Sequence, residues 1–409
     1  MEIDSPRVPP MMYRSTRGSA QPVDFTTVMV QGLATDGGLY VPERIPSLPS
    51  GWETWSYEQA ISETLGLYGA TDTDDLIKEA AALFHHPEIA PIVSVGDRKL
   101  LELFWGPTLS FKDYALQVLA RLLDREVEEG LILGATSGDT GSAAIEACRG
   151  RENLMIVILY PEGRVSDFQR KQMTTVNAVN VRAVAVRGTF DDCQRMVKEA
   201  FASYPHLLAV NSINWGRIAI QAGFHVHAAA RMGEPYDLIV PTGNFGNVYS
   251  AWLAKQMGAP IETITIANNA NHGLSDLVNT GEMPHAEVEP TLAPAMDIQV
   301  PSNLERFTGD PTGDFMASWS TDDQIAETIA DVQANHRYRL DPHTATGWRA
   351  ADETSAGRPQ LLVATAHPAK FDDAIAPPDW YPPLDGLDER LIAVDPDLAE
   401  LEHHLSPQR

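Results

Sequence analysis

The sequence predicts an α/β fold in which parallel β-sheets are covered by helices. Short apolar segments alternate with amphipathic segments of helical length between residues 91 and 267. The apolar segments are continuous, which is typical of strands that are buried on both faces of a parallel sheet. The length of 409 residues exceeds the size at which one hydrophobic core stops growing, so we expect two or three packed subdomains.

The chain before residue 91 is predicted to contain a loose start, a tight turn and two helices. The first eleven residues include three prolines and offer little apolar surface to bury. A turn at Asp36-Gly37-Gly38 precedes a short apolar segment, and its glycines permit a sharp change of direction. Helical patterns cover Tyr57–Leu67 and Asp74–Phe84.

The rest of the chain is predicted to alternate between strands and helices. We predict strands at Pro91–Val95, Leu100–Phe104, Leu131–Thr136, Met155–Tyr160, Val181–Val186, Leu238–Pro241, Thr263–Ala267 and Gln360–Thr365. Helices are predicted at Asp113–Leu123, from Thr140, at Ser166–Thr174, Asp191–Ser203 and Val248–Met257. One further helix is expected in the proline-rich, acidic segment beyond Pro377.

Composition limits the classes of partner. Thirty Lys and Arg residues stand against 56 Asp and Glu residues, which gives a net charge of −26. Broad binding to nucleic acid or to anionic membranes requires clustered cations, so we expect neither. We interpret the charge as an adaptation for solubility, and an anionic substrate must then be bound by a local site.

Cysteines, histidines and hydropathy predict a cytoplasmic protein without a structural metal. Cys148 and Cys193 form neither a disulfide framework nor a Cys-x-x-Cys pair. The sequence shows no secretion signal and no apolar run of bilayer length. The histidines lack His-Glu-x-x-His or Cys/His ligand spacing, so no metal is expected.

Two glycine-rich loops could each hold an anion. LILGATSGDTGSAA (131–144) and PTGNFGN (241–247) each lie between a predicted strand and a predicted helix. Backbone N–H groups and the helix dipole at such a junction favour negative charge. An ordinary helix cap by Ser137 or Asp139, or a glycine-rich connection without a ligand, is the structural alternative. Neither loop is a Walker A loop or a G-x-G-x-x-G fingerprint.

The third motif, FWGPTLSFKDYA (104–115), places Lys112 where a loop meets a helix. Most lysines lie at the surface, so a surface lysine is the structural alternative. In an apolar, partly desolvated setting the pKa of the amine falls, and it can form a Schiff base. The sequence has no G-x-S-x-G elbow, which disfavours a hydrolase.

In their order and spacing these segments resemble the longer-chain class of threonine synthases, a family within the fold-type-II pyridoxal-phosphate enzymes. The resemblance covers nearly the whole chain. It rests on YRSTRG (13–18), DGGLYVPE (36–43), GPTLSFKD (106–113), GATSGDTGSAA (134–144), YPEGRVSDFQRKQM (160–173), GTFDDCQ (188–194), VNSINWGRI (210–218), PTGNFGN (241–247), MDIQVPSN (296–303), LDPHTA (340–345) and TAHPAKF (365–371).

The resemblance implies a role for each site residue. Lys112 would bond covalently to pyridoxal 5'-phosphate and then move the substrate Cα and Cβ protons, with Phe111 beside the ring. The cofactor phosphate would be held by Gly243, Asn244, Phe245, Gly246 and Asn247, and the pyridine nitrogen would face Thr365. The substrate carboxylate, and for Asp139 also the ring oxygen of the cofactor, would be met by Thr136, Ser137, Gly138, Asp139 and Thr140. Asn214 and Arg217 would bind the substrate phosphate, although a surface salt bridge is the alternative for Arg217 and, more strongly, for Arg164.

The resemblance also implies a reaction and a domain plan. O-phospho-L-homoserine would lose phosphate by β,γ-elimination and take up water at Cβ to give L-threonine, in a monomer or homodimer. A tryptophan-synthase-β-like fold would comprise an N-terminal subdomain (1–92), a large cofactor domain (93–128 and 212–380), a small mobile domain (129–211) and a tail (381–409).

Two segments depart from the family pattern and leave the substrate open. Trp105 stands where the family commonly has histidine, and ANNANHGL (267–274) places His272 and Gly273 where it tends to have Asp-Ile. Neutral drift, or a paralogue with another substrate, explains these changes. The alternatives are therefore a lyase or dehydratase acting on a related phosphorylated amino acid, and a catalytically silent homologue. A nucleotide enzyme lacks a supporting fingerprint.

Overall fold

The computed structural model describes residues 10–136, 138–204, 206–354 and 357–405. Its strands are β1 Tyr13–Ser15, β2 Tyr40–Pro42, β3 Ile92–Val95, β4 Arg98–Glu102, β5 Gly130–Ala135, β6 Leu154–Pro161, β7 Val181–Val186, β8 Leu207–Leu208, β9 Tyr236–Pro241, β10 Ile261–Asn268, β11 Phe315–Trp319, β12 Gln360–Ala364 and β13 Ile392–Val394. Its α-helices are α1 Phe25–Gln31, α2 Tyr57–Leu67, α3 Asp74–Ala81, α4 Lys112–Glu126, α5 Asp139–Cys148, α6 Asp167–Thr174, α7 Phe190–Ser203, α8 Trp215–Met232, α9 Gly246–Met257, α10 Gly273–Thr280, α11 Pro311–Asp314, α12 Asp322–His336, α13 Pro342–Glu353 and α14 Leu398–Glu402.

A six-stranded sheet carries the larger part of the fold. Its strand order is β11-β10-β9-β12-β4-β3, and every pairing is parallel except β3 with β4. The central strands β9 and β12 are almost completely buried, as the continuous apolar segments predicted. Because β4, β9, β10 and β12 run in the same direction, the loops after them meet at one edge of the sheet.

A five-stranded, all-parallel sheet forms the second unit, in the order β13-β7-β6-β5-β8. Its strands β5 to β8 come from residues 130–208, whereas β13 comes from the chain terminus. The α/β prediction with two parallel sheets is confirmed. The boundaries of the four predicted domains remain a prediction, although β13 shows that the segment 381–409 contributes to a sheet rather than only trailing behind the fold.

The N-terminal portion packs against helix α8. Strands β1 and β2 form an antiparallel pair, and the Tyr13 hydroxyl donates to the carbonyl of Tyr68 and accepts from the indole N–H of Trp215. Gly223 of α8 lies against α2, where a Cβ would come within 2.9 Å of the Ile61 side chain. The close approach of these two helices therefore requires glycine at this position.

Several sequence predictions need correction in their extent. The helix predicted to reach Phe84 ends at Ala81, and the strand predicted at Leu100–Phe104 spans Arg98–Glu102. Helix α8 was not predicted, because it is buried on nearly all sides and its polar row Arg217, Gln221 and His225 is buried too, so no solvent-exposed face marks its period. In the part of the chain that the structure describes, no helix is both long and apolar enough to cross a membrane.

Candidate active site

Lys112 begins helix α4 at the carboxyl edge of the six-stranded sheet. The preceding loop is closed by Asp113, whose carboxylate accepts the backbone N–H and the hydroxyl of Thr108 at 2.8 and 2.7 Å. The N–H of Phe111 donates to the carbonyl of Thr365 at 2.8 Å, just beyond the end of β12. The structure thus brings Thr365 beside Phe111 and Lys112, although Thr365 is far from both in the sequence.

The Lys112 amine is buried in an environment that favours its neutral form. Its Nζ lies 3.4 Å from an Asp139 carboxylate oxygen and 4.9 Å from the centre of the Phe111 ring. Burial lowers the pKa of Lys112, and the positive charges of Arg217 and Lys370 lower it further, while Asp139 opposes the shift. A surface lysine is therefore excluded, and the amine is suited to covalent chemistry.

Asp139 is a buried carboxylate held between two lysines. Lys370 Nζ lies 3.3 Å from the carboxylate oxygen that does not face Lys112, and the side-chain amide of Gln169 donates to that same oxygen at 2.8 Å. Burial alone would raise the pKa of Asp139, but Lys370, Lys112, His343 and the Gln169 hydrogen bond together hold it below its usual range. Asp139 is therefore ionised at neutral pH.

The first glycine-rich loop leads from β5 into α5 beside this carboxylate. The Thr136 hydroxyl oxygen accepts the N–H groups of Gly138 and Gly141, each at 2.9 Å, and so fixes the loop. Gly138 has φ 143°, and a Cβ there would come within 2.5 Å of the Gln169 side chain, so only glycine fits. Thr140 is half-buried in the first turn of α5. Ser137 lies outside the described residues.

The second glycine-rich loop ends at the N-terminus of α9, which no side chain caps. Phe245 precedes that helix at φ 63° with its side chain buried, and a Cβ on Gly243 would come within 2.7 Å of the Ala295 carbonyl oxygen. Gly246 and Asn247 form the first turn. Among the described residues, the buried side-chain nitrogen of Asn247 has no hydrogen-bond partner, while its oxygen bonds to His225 Nε2 at 2.7 Å. An unpaired donor at an uncapped helix start favours an anion.

The Asn244 and Phe245 side chains support the loop instead of facing its concave side. The Asn244 side-chain oxygen accepts the N–H of Ser302 at 3.1 Å, and its carbonyl accepts the Asn303 amide at 3.0 Å. The Phe245 ring packs against Phe307 and Phe315. The Phe245 side chain is thus part of the packing, so a contact of Phe245 with a ligand would come from its backbone.

Arg217 is a buried guanidinium with little to neutralise it. It is 2% exposed, donates to the Val210 carbonyl at 3.1 Å, and has no carboxylate within ion-pair distance in the part of the chain that the structure describes. Burial lowers the pKa of Arg217 to about 10. The surface salt bridge considered from the sequence is thus wrong, and an unpaired buried cation near Lys112 favours an anionic ligand. Arg164, in contrast, is exposed.

Asn214 has a different role from the one that the sequence predicted. Its side-chain nitrogen donates to the carbonyls of Met29 and Ala209, both at 2.8 Å, and its oxygen accepts the N–H of Gly216 at 2.8 Å. These contacts make Asn214 the N-cap of α8, and they replace the predicted contact with a substrate phosphate. An asparagine directly before a helix is a recognised capping signal, which the sequence contained.

The two segments that depart from the family pattern lie at the same sheet edge. The Trp105 indole N–H donates to the buried Glu102 carboxylate at 2.9 Å, and Tyr338 donates to its other oxygen at 2.7 Å. His272 stacks on Trp319 with the ring centres 4.2 Å apart. Both substitutions are thus tied into their surroundings by specific contacts.

Lys370 and Gln169 contact Asp139 but were not predicted from the sequence as site residues. Both stand within the strings that carried the resemblance, TAHPAKF and YPEGRVSDFQRKQM. No local pattern shows that a lysine such as Lys370 is buried, because its partners lie elsewhere in the chain. Among the described residues, no three His, Cys, Asp or Glu side chains form a group that could hold a metal ion.

Two parallel sheets with a buried, partly neutralised lysine and an uncapped helix start define a fold-type-II pyridoxal-phosphate enzyme. A family model described as "Pyridoxal-phosphate dependent enzyme" matches residues 101–365, and one described as "Threonine synthase N terminus" matches residues 12–80. The chain belongs to the threonine synthase family, and it is a pyridoxal-phosphate-dependent lyase.

Relatives and solved structures agree with this assignment. A threonine synthase of Pseudomonas aeruginosa is 40% identical over 420 residues, covering 89% of this chain and 90% of the relative. A "Threonine synthase-like 2" of Xenopus laevis is 33% identical over 434 residues, covering 91% and 92%. The crystal structure of a threonine synthase from Brucella melitensis with bound pyridoxal phosphate has a TM-score of 0.91 and 37% identity, covering 97% of this chain and 98% of that one.

The residues present fit this cofactor. The unpaired Asn247 nitrogen and the uncapped start of α9 suit its phosphate, and the loop from Gly243 is tight enough to exclude side chains. The buried Lys112 amine suits a covalent bond to its aldehyde carbon.

Proposed function

We propose that the protein converts O-phospho-L-homoserine and water into L-threonine and phosphate by β,γ-elimination followed by hydration at Cβ. The observation that carries this proposal is Arg217, a buried cation that lacks a carboxylate partner among the described residues and lies near the Lys112 amine. An amino acid that carries a phosphate group would place an anion there. Family membership supports the same reaction.

The family resemblance, together with the site geometry, supports the proposed cofactor contacts. Lys112 would bond to pyridoxal phosphate, the backbone from Gly243 to Asn247 would hold its phosphate, and Thr365 would face its ring nitrogen with Phe111 beside the ring. Asp139, held by two lysines, would lie near the ring oxygen. When bound, the cofactor supplies an electron sink that makes protons on Cα and Cβ removable.

Lys112 is the group that we propose to move those protons. A lowered pKa lets the amine be neutral at the pH of reaction, so it can accept a proton from Cα and deliver or remove one at Cβ. Asp139 stabilises the ammonium each time it forms, because the two groups are in contact. The contact with Asp139 also fixes the position of the Lys112 amine and so limits which substrate atoms it can contact.

The proposed substrate contacts separate the two anionic groups of the substrate. Arg217 would bind the phosphate with a charge-assisted hydrogen bond. The loop that contains Gly138 and Thr140, fixed by Thr136, would bind the carboxylate with backbone N–H groups at the start of α5. Ser137 belongs to this proposal by its position in the sequence alone.

Water must be kept from the site until phosphate has left. We propose that the predicted small domain (129–211) moves against the large domain (93–128 and 212–380) to exclude it, in a monomer or homodimer. Asp139 of α5 contacts Lys112 and Lys370, and Gln172 of α6 contacts Lys370. These contacts join the predicted small domain to the predicted large domain, so a movement between the domains would act directly on the site.

A second candidate is a lyase or dehydratase that acts on a related phosphorylated amino acid and releases a keto acid. The departures at Trp105 and His272 favour it, because both lie at the edge of the sheet that carries Lys112. The products separate the two functions, since one gives threonine and the other gives 2-oxobutyrate or pyruvate.

The test is release of phosphate from O-phospho-L-homoserine, with amino-acid analysis of the products. We expect equimolar phosphate and threonine from the wild type and from Lys78→Ala, whose side chain is 68% exposed. Lys112→Ala should lose the reaction and the visible absorbance of the cofactor. Phosphate with a keto acid would favour the second candidate, and an active Lys112→Ala would contradict the role of Lys112.

A further inference from the structure

A second lysine lies beneath the proposed catalytic amine. Lys370 has no solvent exposure, and its Nζ contacts three oxygens: the Thr108 carbonyl at 2.6 Å, the Gln172 side chain at 2.6 Å and Asp139 at 3.3 Å. Two of these contacts, to Thr108 and Gln172, are hydrogen bonds, and the contact with Asp139 is an ion pair. Two hydrogen bonds and a carboxylate counter-ion explain how a charged lysine tolerates complete burial.

The two lysines divide the Asp139 carboxylate between them. Lys112 contacts one oxygen at 3.4 Å, whereas Lys370 contacts the other at 3.3 Å. The Lys112 ammonium has only this one carboxylate as a described hydrogen-bonding partner, so it is free to leave. Lys370, in contrast, is held in place by three contacts.

We propose that Lys370 is a positioning residue for Lys112, because it keeps Asp139 ionised and oriented toward the Lys112 amine while that amine changes its charge. This inference rests on the proposed role of Lys112 and goes beyond the reaction itself. When the amine is neutral or engaged in a covalent bond, Asp139 loses one counter-ion. A buried carboxylate without a counter-ion is strongly destabilised, and Lys370 prevents that state.

The charges around the pair define the direction of the effect. Lys112 faces Asp139, Arg217 and Lys370; Asp139 also faces His343; Lys370 also faces Asp113 and His367. Lys370 repels the charged form of Lys112 and takes up part of the Asp139 charge. Both effects lower the pKa of Lys112, so removal of Lys370 should raise it.

The experiment titrates the visible absorbance of the cofactor-loaded, full-length protein against pH, because that band reports the protonation of the nitrogen of Lys112. We expect the midpoint in Lys370→Met to move upward by about 1 pH unit or more, as for the loss of a nearby like charge. Lys370→Gln, which keeps donors but no charge, should move it in the same direction and guards against misfolding of the first variant.

Gln172→Met is the matched control, because it removes a 2.6 Å contact of Lys370 and leaves its charge in place. Its midpoint should stay at the wild-type value even where its melting temperature falls. A midpoint that is unchanged in both Lys370 variants would overturn the proposal, as would failure of both variants to fold, which would assign Lys370 to the core alone. A visible band that persists in Lys112→Ala would instead contradict the proposed function.

Discussion

Two buried arginines show how the surroundings of a side chain indicate its role. Arg306 donates to the Tyr40 carbonyl at 2.9 Å and also contacts Asn303 and Ile213, so protein oxygens satisfy it on several sides. Arg217 is equally buried but has the Val210 carbonyl as its described acceptor, and its Nε has no described partner. A buried guanidinium whose N–H groups are hydrogen-bonded stabilises the fold, whereas one that lacks hydrogen-bond partners is suited to binding a ligand.

Replacement of Arg217 by methionine should therefore affect binding more than folding. A charge-assisted hydrogen bond contributes about 1.5–3 kcal/mol, so we expect KM for the phosphorylated substrate to rise about 10- to 100-fold. The melting temperature should change little, because the lost cation was poorly compensated. Arg306→Met is the control and should lower the melting temperature with a smaller change in KM. Equal KM changes in both variants would contradict the assignment.

His225 makes stability depend on pH at the cofactor loop. Burial lowers the pKa of His225 to about 4 from its usual 6.5, against the hydrogen bond to Asn247. Between pH 4 and pH 6.5 the unfolded chain therefore binds a proton at His225 more readily than the folded protein does. The contribution of His225 to the free energy of unfolding is complete above pH 6.5 and is lost as the pH falls toward 4.

The His225→Gln variant should have a weaker pH dependence than the wild type. From the two pKa values, we expect the wild type to lose about 2 kcal/mol more unfolding free energy than the variant between pH 7 and pH 5. Denaturant unfolding at both pH values measures the difference. Parallel losses in the two proteins would show that His225 does not titrate in this range.

For single residues, the sequence predicted which residues belong to the site better than it predicted which groups they contact. Lys112, Asp139 and Arg217 lie together, as the resemblance implied. Asn214 was placed in the wrong role, since a cap depends on where a helix begins, and α8 was not predicted. Lys370 was missed because its three acceptors come from segments up to 262 positions away.

The first turn of α9 is the element on which the phosphate proposal depends. Its uncapped N–H groups and the Asn247 amide point to one anion site, and His225 orients that amide by holding its oxygen. The helix has twelve residues, so its dipole is well developed.

Substitution of Asn247 by alanine should weaken binding of pyridoxal phosphate about tenfold, because one hydrogen bond to a charged group is lost. Pyridoxal, which lacks the phosphate, is the control ligand and should bind both proteins alike. Equilibrium titration of the visible band gives both affinities. A loss of affinity that is the same for both ligands would place Asn247 away from the phosphate.

Elements were predictable where their pattern was unambiguous. Strand β6 is a continuous apolar run, β7 and β9 are apolar apart from Arg182 and Asp237, and all three were predicted within a few residues. Strand β11 has only two buried positions among its five residues, and β13 has three residues. Such short segments form strands because a neighbouring strand pairs with them, which local sequence does not encode.

On the scale of the whole molecule, the proposed site is rich in positive charge, whereas the protein as a whole is strongly negative. The net charge is −26, yet Lys112 and Lys370 both contact Asp139 at the proposed centre, and the positive charge of Arg217 acts on Lys112. Burial keeps these charges from being screened by solvent, so a local cationic site persists within an acidic protein.

The terminal segment should be needed for the integrity of the five-stranded sheet. Strand β13 pairs with β7, and Leu401 and Leu405 belong to the same hydrophobic cluster as Cys193. Removal of residues 384–409 should lower the melting temperature and expose Cys193 to a thiol reagent. Cys148, buried in another cluster, is the internal control and should stay unreactive. An unreactive Cys193 in the truncated chain would contradict this dependence.

The position of β13 also orders events during synthesis. Every strand of the six-stranded sheet has been made once residue 364 is polymerised, whereas the outer edge of β7 waits for residues 392–394. Since the chain emerges from its amino end, the outer edge of β7 stays unpaired until residues 392–394 have also been made. A nascent chain that ends between residues 364 and 392 therefore presents the edge of β7 as a template for pairing with another chain.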